Sequence, residues 1–244
     1  MRYMGSKKPV LKELCPPIAE YLADGRTYVE PFMGGCNMLI GIVQHTKGQV
    51  IAADKNPALV AMWTEAVKGW SPPEMISKPE YEKMRTAWRS KDFSEYPLHL
   101  LGFAGYGASY RGSWMASYEG GLCIGSTSRA VTKESKLVSK VEFICSDYTG
   151  LEIPPDSVIY CDPPYVESLG HHAFGFNTEE FWAWAKARAD EGHVVFVSER
   201  KAPPDPRIEL IVEATRSNNF AVGVKHRRGR VVQRLLIERL YRVK

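Results

Sequence analysis

The sequence predicts an α/β protein with a mostly parallel sheet. Short β-branched and aromatic runs alternate with helix-period segments, and several of those runs close on a glycine turn or an acidic residue. The chain is also long enough, at 244 residues and 44% hydrophobic, to bury one substantial core without a disulfide or structural metal.

Strands are expected at Tyr28 to Glu30, Val50 to Ala53, Val141 to Cys145, Val158 to Cys161, Val194 to Ser198, Ile208 to Val212 and Val231 to Ile237. Helices fit between them. Asn56 followed by Pro57 is an N-cap and first-turn pair, opening an apolar-periodic stretch that stops near Gly69. Asn177 with Glu180 three residues later resembles a capping box, which predicts a helix through Phe181, Trp184 and Ala185 ending at Gly192. Residues 71–140 break this rhythm. They hold Pro72-Pro73, a helix around Pro79 to Arg89, and "GFAGYGASYRGSWMASYEGG" from Gly102 to Gly121. That composition predicts an inserted subdomain over 71–140, between the two parts, 1–70 and 141–244, of a main domain.

Composition excludes several classes. No run of eighteen or more apolar residues exists, and Met1 to Lys8 lacks the apolar core of a signal peptide, so a cytoplasmic protein is expected. Cys15, Cys36, Cys123, Cys145 and Cys161 form no C-x-x-C pair, and the six histidines show no H-E-x-x-H spacing. Neither a disulfide framework nor a metal site is predicted; His171 and His172 read as polar loop residues. A dinucleotide oxidoreductase is disfavoured because G-x-G-x-x-G is absent, and no P-loop is present. The net charge of +4 is uneven: residues 200–244 hold twelve of the 32 Lys and Arg but four of the 28 Asp and Glu. This basic end is either a polyanion-binding surface or a solvated face.

In open α/β sheets, ligands bind beyond the carboxyl ends of the strands, and four features fall there. "YVEPFMGG", Tyr28 to Gly35, ends the first strand in a glycine turn that lets backbone approach a ligand. Asp54 ends the second, twenty residues after Gly34, where a carboxylate either accepts from ribose hydroxyls or caps a helix. Asp147 in "CSDY" either accepts from an adenine amino group or serves as a turn residue before Tyr148. The strongest feature is "SVIYCDPPYV", Ser157 to Val166. An apolar strand there runs into Asp162, then Pro163 and Pro164, which cannot donate to a ladder, then Tyr165. Asp162 Oδ and the Pro163 carbonyl form two oriented acceptors beside an aromatic ring, an arrangement suited to a planar amino group.

With "EPFMGG" first, an insertion between and "DPPY" after it, the chain resembles the Dam-like, D12 class of DNA N6-adenine methyltransferases. "YMGSK", Tyr3 to Lys7, is similar to that family's aromatic-x-Gly-x-Lys opening. The resemblance implies a Rossmann-like S-adenosylmethionine-dependent methyltransferase fold, with a mostly parallel seven-stranded sheet and an inserted, mainly helical target-recognition subdomain. It implies S-adenosyl-L-methionine as cofactor, contacted by Tyr3, Lys7, Pro31, Phe32, Gly34, Gly35, Asp54, Asp147, Tyr148 and Asp162. Asp162, Pro163, Pro164 and Tyr165 would hold a flipped-out adenine of double-stranded DNA during direct methyl transfer, without a metal. "VKHRRGRVVQRL", Val224 to Leu235, reads as a β-hairpin turning at Gly229, whose Lys225, Arg227, Arg228 and Arg230 would contact phosphates. Tyr106, Tyr110, Arg111 and Trp114 either reach bases or pack the insertion. Glu167 to Asn177 is expected to form a flap over the base.

Two departures from the family pattern stand out. Cys36 occupies the second glycine position of F-x-G-x-G, and no F-N-x-P-x-G-like stretch lies between Arg111 and Thr132, so no recognition sequence transfers. Cytosine N4, RNA adenine or a protein amide as acceptor, and a non-catalytic DNA-binding module, are the alternatives; Asp ahead of Pro-Pro-Tyr favours adenine. The expected setting is a bacterial cell or phage-infected host, and the expected state a monomer, with a dimer as the alternative.

Overall fold

A computed structural model describes residues 1–165, 176–217 and 235–244. Among these, β1 (Tyr28–Glu30), β2 (Val50–Asp54), β3 (Glu142–Cys145), β4 (Val158–Cys161), β5 (Val194–Glu199), β6 (Ile208–Ser217) and β7 (Leu235–Val243) form one sheet. The order is β3-β2-β1-β4-β5-β7-β6, parallel except where β7 runs antiparallel to both β5 and β6. This is the expected α/β architecture with a mostly parallel seven-stranded sheet.

Period-two alternation builds the sheet even where both faces are buried. Tyr28, Val50, Ala52, Val158, Tyr160, Val194 and Phe196 point into one apolar core, while Val29, Ile51, Ile159, Cys161, Val195 and Val197 point into the other. The larger core is covered by α1 (Leu11–Ala19), α2 (Asn37–Ile42), α3 (Pro57–Val67), α4 (Lys78–Ser90), α5 (Leu98–Gly107) and α6 (Leu122–Leu137). The smaller is closed by Phe181, Trp182 and Ala185 of α7 (Thr178–Asp190). Both expected caps are made. Asn56 Oδ1 accepts from the amides of Ala58 and Leu59, and Asn177 Oδ1 from those of Glu179 and Glu180.

The last two strands depart from expectation. β6 continues to Ser217, and β7, described over Leu235–Val243, runs on past Ile237, while Val231 to Arg234 lie outside the described residues. The antiparallel ladder from Ile208 opposite Val243 to Ser217 opposite Leu235 sets their length, and it carries charged residues such as Glu238 and Arg239 that interrupt any apolar run. The hairpin read at 224–235 lies outside the described residues apart from its end, as does most of the 167–177 flap.

The 71–140 stretch is mainly helical, and its interior is continuous with that of the sheet: Leu101, Phe103, Val131 and Val138 share a core with Tyr28 and Val50. Its glycine-rich segment begins inside α5, which is buried nearly all round. Gly102 explains the close approach. A Cβ there would lie 2.0 Å from the Ala58 carbonyl oxygen of α3, so the two helices meet only because that atom is missing. Gly102→Ala is expected to destabilise the protein by about 1–3 kcal/mol or more through overpacking against backbone, measurable as a lower midpoint of chemical unfolding.

Candidate active site

Asp162 follows the last residue of the central strand β4, between β1 and β5, so parallel pairing on both sides fixes its Cα. Its carboxylate lines a cavity with Tyr3, Lys7, Glu30, Gly34 and Asn37. Lys7 Nζ donates to both Asp162 oxygens at 2.8 Å and lies 3.7 Å from Glu238 Oε2 on β7. Lys7 and Glu238 are 3% and 0% exposed, against 23% for Asp162, so the carboxylate is the member of the group open to a ligand. Burial raises the Asp162 pKa, and the Lys7 ammonium only partly offsets this. Tyr165 is buried, donates its hydroxyl to Glu238 Oε2 at 2.9 Å, and has the cations of Lys7 and Arg200 over its ring at 4.8 and 5.6 Å.

The glycine turn after β1 forms the opposite wall. Its backbone lies against Tyr3: a Cβ on Gly34 would fall 2.8 Å from the tyrosine ring, and one on Gly35 2.7 Å from the Tyr3 Cβ. Asp54 braces the turn, accepting from the Gly34 amide at 3.1 Å and from the Asn56 amide at 2.9 Å. The cap of α3 is therefore Asn56, and the cap alternative for Asp54 falls away. Cys36 is fully buried with φ of 54°, the left-handed region. A glycine in its place would hold that conformation without strain, whereas a side chain makes it costlier by about 1–2 kcal/mol. The turn keeps its shape regardless, locked by the Cys36 amide donating to the Met33 carbonyl.

The remaining expected site residues divide. Phe32 lines the cavity and packs on Tyr148, with centroids 5.3 Å apart, while Pro31 is buried behind the turn. Asp147 is exposed and accepts from the Thr149 amide and hydroxyl, which is the turn role left open for it. Pro163 is buried and Pro164 half-buried. Tyr106 is a correction: it is buried, with its ring 4.8 Å from Tyr3 and 4.9 Å from Trp114, so it supports the cavity wall instead of presenting a ring to DNA. Trp114 likewise packs, filling the space above Gly105. Tyr110 is exposed with the Arg111 guanidinium over its ring at 5.0 Å. Lys225, Arg227, Arg228 and Arg230 lie outside the described residues.

Four polar residues of this centre were not anticipated. Glu30 accepts from the Tyr28 hydroxyl at 3.0 Å, and burial pushes its pKa well above the usual carboxylate range. Glu199 ends β5, buried, with its pKa raised by burial to about 7. Both end buried strands, the same signal that marks Asp162. Glu238 lies mid-strand and Asn37 opens α2, and neither position is marked in the sequence.

Residues 3–97 match the model of the D12 class N6 adenine-specific DNA methyltransferase family. That match covers less than half of the chain. It is 26% identical over 187 residues to a DNA adenine methylase of Vibrio cholerae, covering 68% of this chain and 64% of that protein. It is 24% identical over 226 residues to the retron Ec67 DNA adenine methylase of Escherichia coli, covering 81% and 75%. The type II methyltransferase M.FokI of Planomicrobium okeanokoites is 23% identical over 207 residues, covering 75% of this chain and 31% of that one. The match thus spans less than two thirds of the Vibrio relative's length. Among the described residues, no helix is long and apolar enough to cross a membrane, and no group of three or more His, Cys, Asp and Glu is arranged to hold a metal ion.

The Glu199 carboxyl also predicts a pH dependence. Its pKa is raised on folding, so the native state binds more protons than the unfolded state between the ordinary carboxylate value and about 7. Its contribution to stability is largest at acid pH and falls as pH rises through that window. Glu199→Gln is expected to flatten the decline, seen in melting temperatures taken from pH 4.5 to 8.

Proposed function

We propose that this protein transfers a methyl group from S-adenosyl-L-methionine to N6 of an adenine flipped out of double-stranded DNA. The observation that supports this most directly is Asp162, a buried strand-end carboxylate turned toward a cavity whose far wall is a glycine turn. The family-model match over residues 3–97 and the named relatives support it.

The cavity has features that suit the cofactor: close backbone approach at Gly34 and Gly35, an aromatic wall, and the Asn37 amide oxygen, buried without a hydrogen-bond partner among the described residues. Tyr3, Lys7, Phe32, Gly34, Gly35 and Asp162 would hold it, with Asp54 and Tyr148 supporting the turn from behind. When bound, it supplies a methyl group on a sulfonium, which is already a good leaving group.

The amino nitrogen of adenine is a weak nucleophile because its lone pair is delocalised into the ring. Asp162 Oδ and the Pro163 carbonyl accept its two N–H groups and turn the lone pair toward the methyl. Charged hydrogen bonds contribute roughly 1.5–3 kcal/mol each, while placing two reactants correctly contributes about 7–11 kcal/mol, so orientation dominates. Lys7 now occupies both Asp162 oxygens. For the amine to bind, Lys7 must release at least one, and Glu238, 3.7 Å from its ammonium, is the second anion that keeps it paired. The raised basicity of Asp162 then makes its Oδ the first acceptor for the proton lost from the methylated nitrogen. Flipping a base costs a few kcal/mol, and stacking on Tyr165 offsets about 1–3 kcal/mol of that. The stacked base takes a ring face that Lys7 or Arg200 now covers.

The basic end supplies the proposed duplex contact. That assignment rests on its charge, Lys225, Arg227, Arg228 and Arg230 around one glycine, and on Tyr110 and Arg111 at the surface of the helical stretch. The setting proposed is the cytoplasm, where DNA is accessible.

Asp162→Ala is expected to retain cofactor binding in part and to lose methyl transfer by about 10²–10³-fold or more, in a radiolabelled assay on adenine-containing duplexes. Near-normal turnover would reject the assignment. Replacing Arg227 and Arg228 by Ala should weaken DNA binding on all sequences and lower the slope of log affinity against log salt by about 2. An unchanged slope makes that end a solvated face.

A further inference from the structure

Glu238 is fully buried, yet it stands within β7 at a position that a sheet ordinarily fills with an apolar side chain. It shares one face of the strand with Leu240 of the larger core, while Ile237 and Arg239 on the other face are partly exposed. A carboxylate held there is strongly unfavourable unless donors or cations meet it. The Tyr165 hydroxyl donates to Oε2 at 2.9 Å, and the Lys7 ammonium lies 3.7 Å from the same oxygen.

Those two contacts differ in kind. The tyrosine contact is a full hydrogen bond, whereas at 3.7 Å the lysine contact is an ion pair without one, because Lys7 donates to both Asp162 oxygens at 2.8 Å and to the Gly5 carbonyl at 3.4 Å. The ammonium is thus shared unequally between two carboxylates, and a movement of about 1 Å exchanges its stronger partner. Glu238 is what permits that movement: an ammonium displaced from Asp162 with no second anion beside it would be a buried, unpaired ion. Tyr165 is tied into the same exchange. Its hydroxyl ends on the oxygen that would receive Lys7, and its ring centroid lies 4.8 Å from Lys7 Nζ, so the bond to Glu238 anchors the far end of the ring that Lys7 moves past.

We infer that Glu238 is a positioning residue for methyl transfer: its Oε2 receives the Lys7 ammonium when the incoming amine displaces it from Asp162, and its bond to the Tyr165 hydroxyl keeps the ring in place during that exchange. This rests on the methyltransferase reading. The test compares wild type with Glu238→Gln, which keeps the shape and an oxygen for Tyr165 but removes the charge, and with Glu238→Asp, which keeps the charge on a shorter stem. Glu238→Gln is expected to slow single-turnover methyl transfer roughly 10- to 100-fold, the worth of a charged hydrogen bond, with little change in KM for DNA. Glu238→Asp should be the faster of the two variants. A residue that merely packs the strand gives the opposite order, since glutamine is the isosteric replacement. A wild-type rate in Glu238→Gln, a loss confined to KM, or a Glu238→Asp no faster than Glu238→Gln would overturn the inference. A second measurement needs no variant. In a crystal structure of wild type with S-adenosylhomocysteine and an adenine-containing duplex, the base in the site, Lys7 Nζ is expected within about 3 Å of Glu238 Oε2 and off at least one Asp162 oxygen. Lys7 retained on both Asp162 oxygens beside the bound base would overturn the inference while leaving the methyltransferase reading intact. Failure of wild type to methylate any duplex would remove both.

Discussion

One ammonium buried among carboxylates organises the centre of this molecule. Lys7 is 3% exposed, and it is sustained there by Asp162 on two sides and by Glu238 at 3.7 Å. A buried ion of either sign is strongly unfavourable without its partner, so the N-terminal segment, the end of β4 and the middle of β7 are tied together by charge balance as much as by apolar contact. The pair also decides how Asp162 behaves. Burial alone would drive that carboxyl toward its neutral form; Lys7 opposes the shift and holds the group as an acceptor aimed at the cavity.

The glycine turn complements that charge centre with close packing. Gly34 and Gly35 lie flat against Tyr3, Asp54 holds the Gly34 amide, and Tyr106 backs the Tyr3 ring. Tyr106 comes from α5, a helix drawn against α3 by the absence of a side chain at Gly102. The helical stretch 71–140 therefore supports the site from beneath, sharing its core with the sheet. The buried, strained Cys36 shows the same economy of space: the turn tolerates an unfavourable φ because the surrounding core allows no other path.

Much of this was readable in the amino-acid order. The three-residue β1 and the ends of β4 were located to the residue, since glycine, proline or acidic residues punctuate buried apolar runs there. Asn56 and Asn177 cap as their local patterns indicate. The end of β7 is hard to place from sequence because Glu238, Arg239 and Arg242 interrupt its apolar residues, and its register is dictated by its pairing with β6. Glycine-rich aromatic segments commonly form loops, which in sequence favours an exposed Tyr106; here the glycines serve helix packing and the ring is buried. Asp147 carries two readings of similar weight, and its hydrogen bonds from Thr149 to Oδ1 show the turn role.

By itself, the sequence determined which strands exist, where the carboxylate-proline-proline-tyrosine turn must stand, and which chemistry that turn can serve, because these depend on local periodicity and on the fixed geometry of proline. The tertiary structure alone decided which groups meet that turn. Lys7 lies 155 positions from Asp162 and Glu238 lies 73 from Tyr165, and no local pattern encodes such a pairing. Those contacts arise where parallel strand ends converge and water is excluded, and in that low-dielectric space each charge is specified by the neighbours the fold supplies.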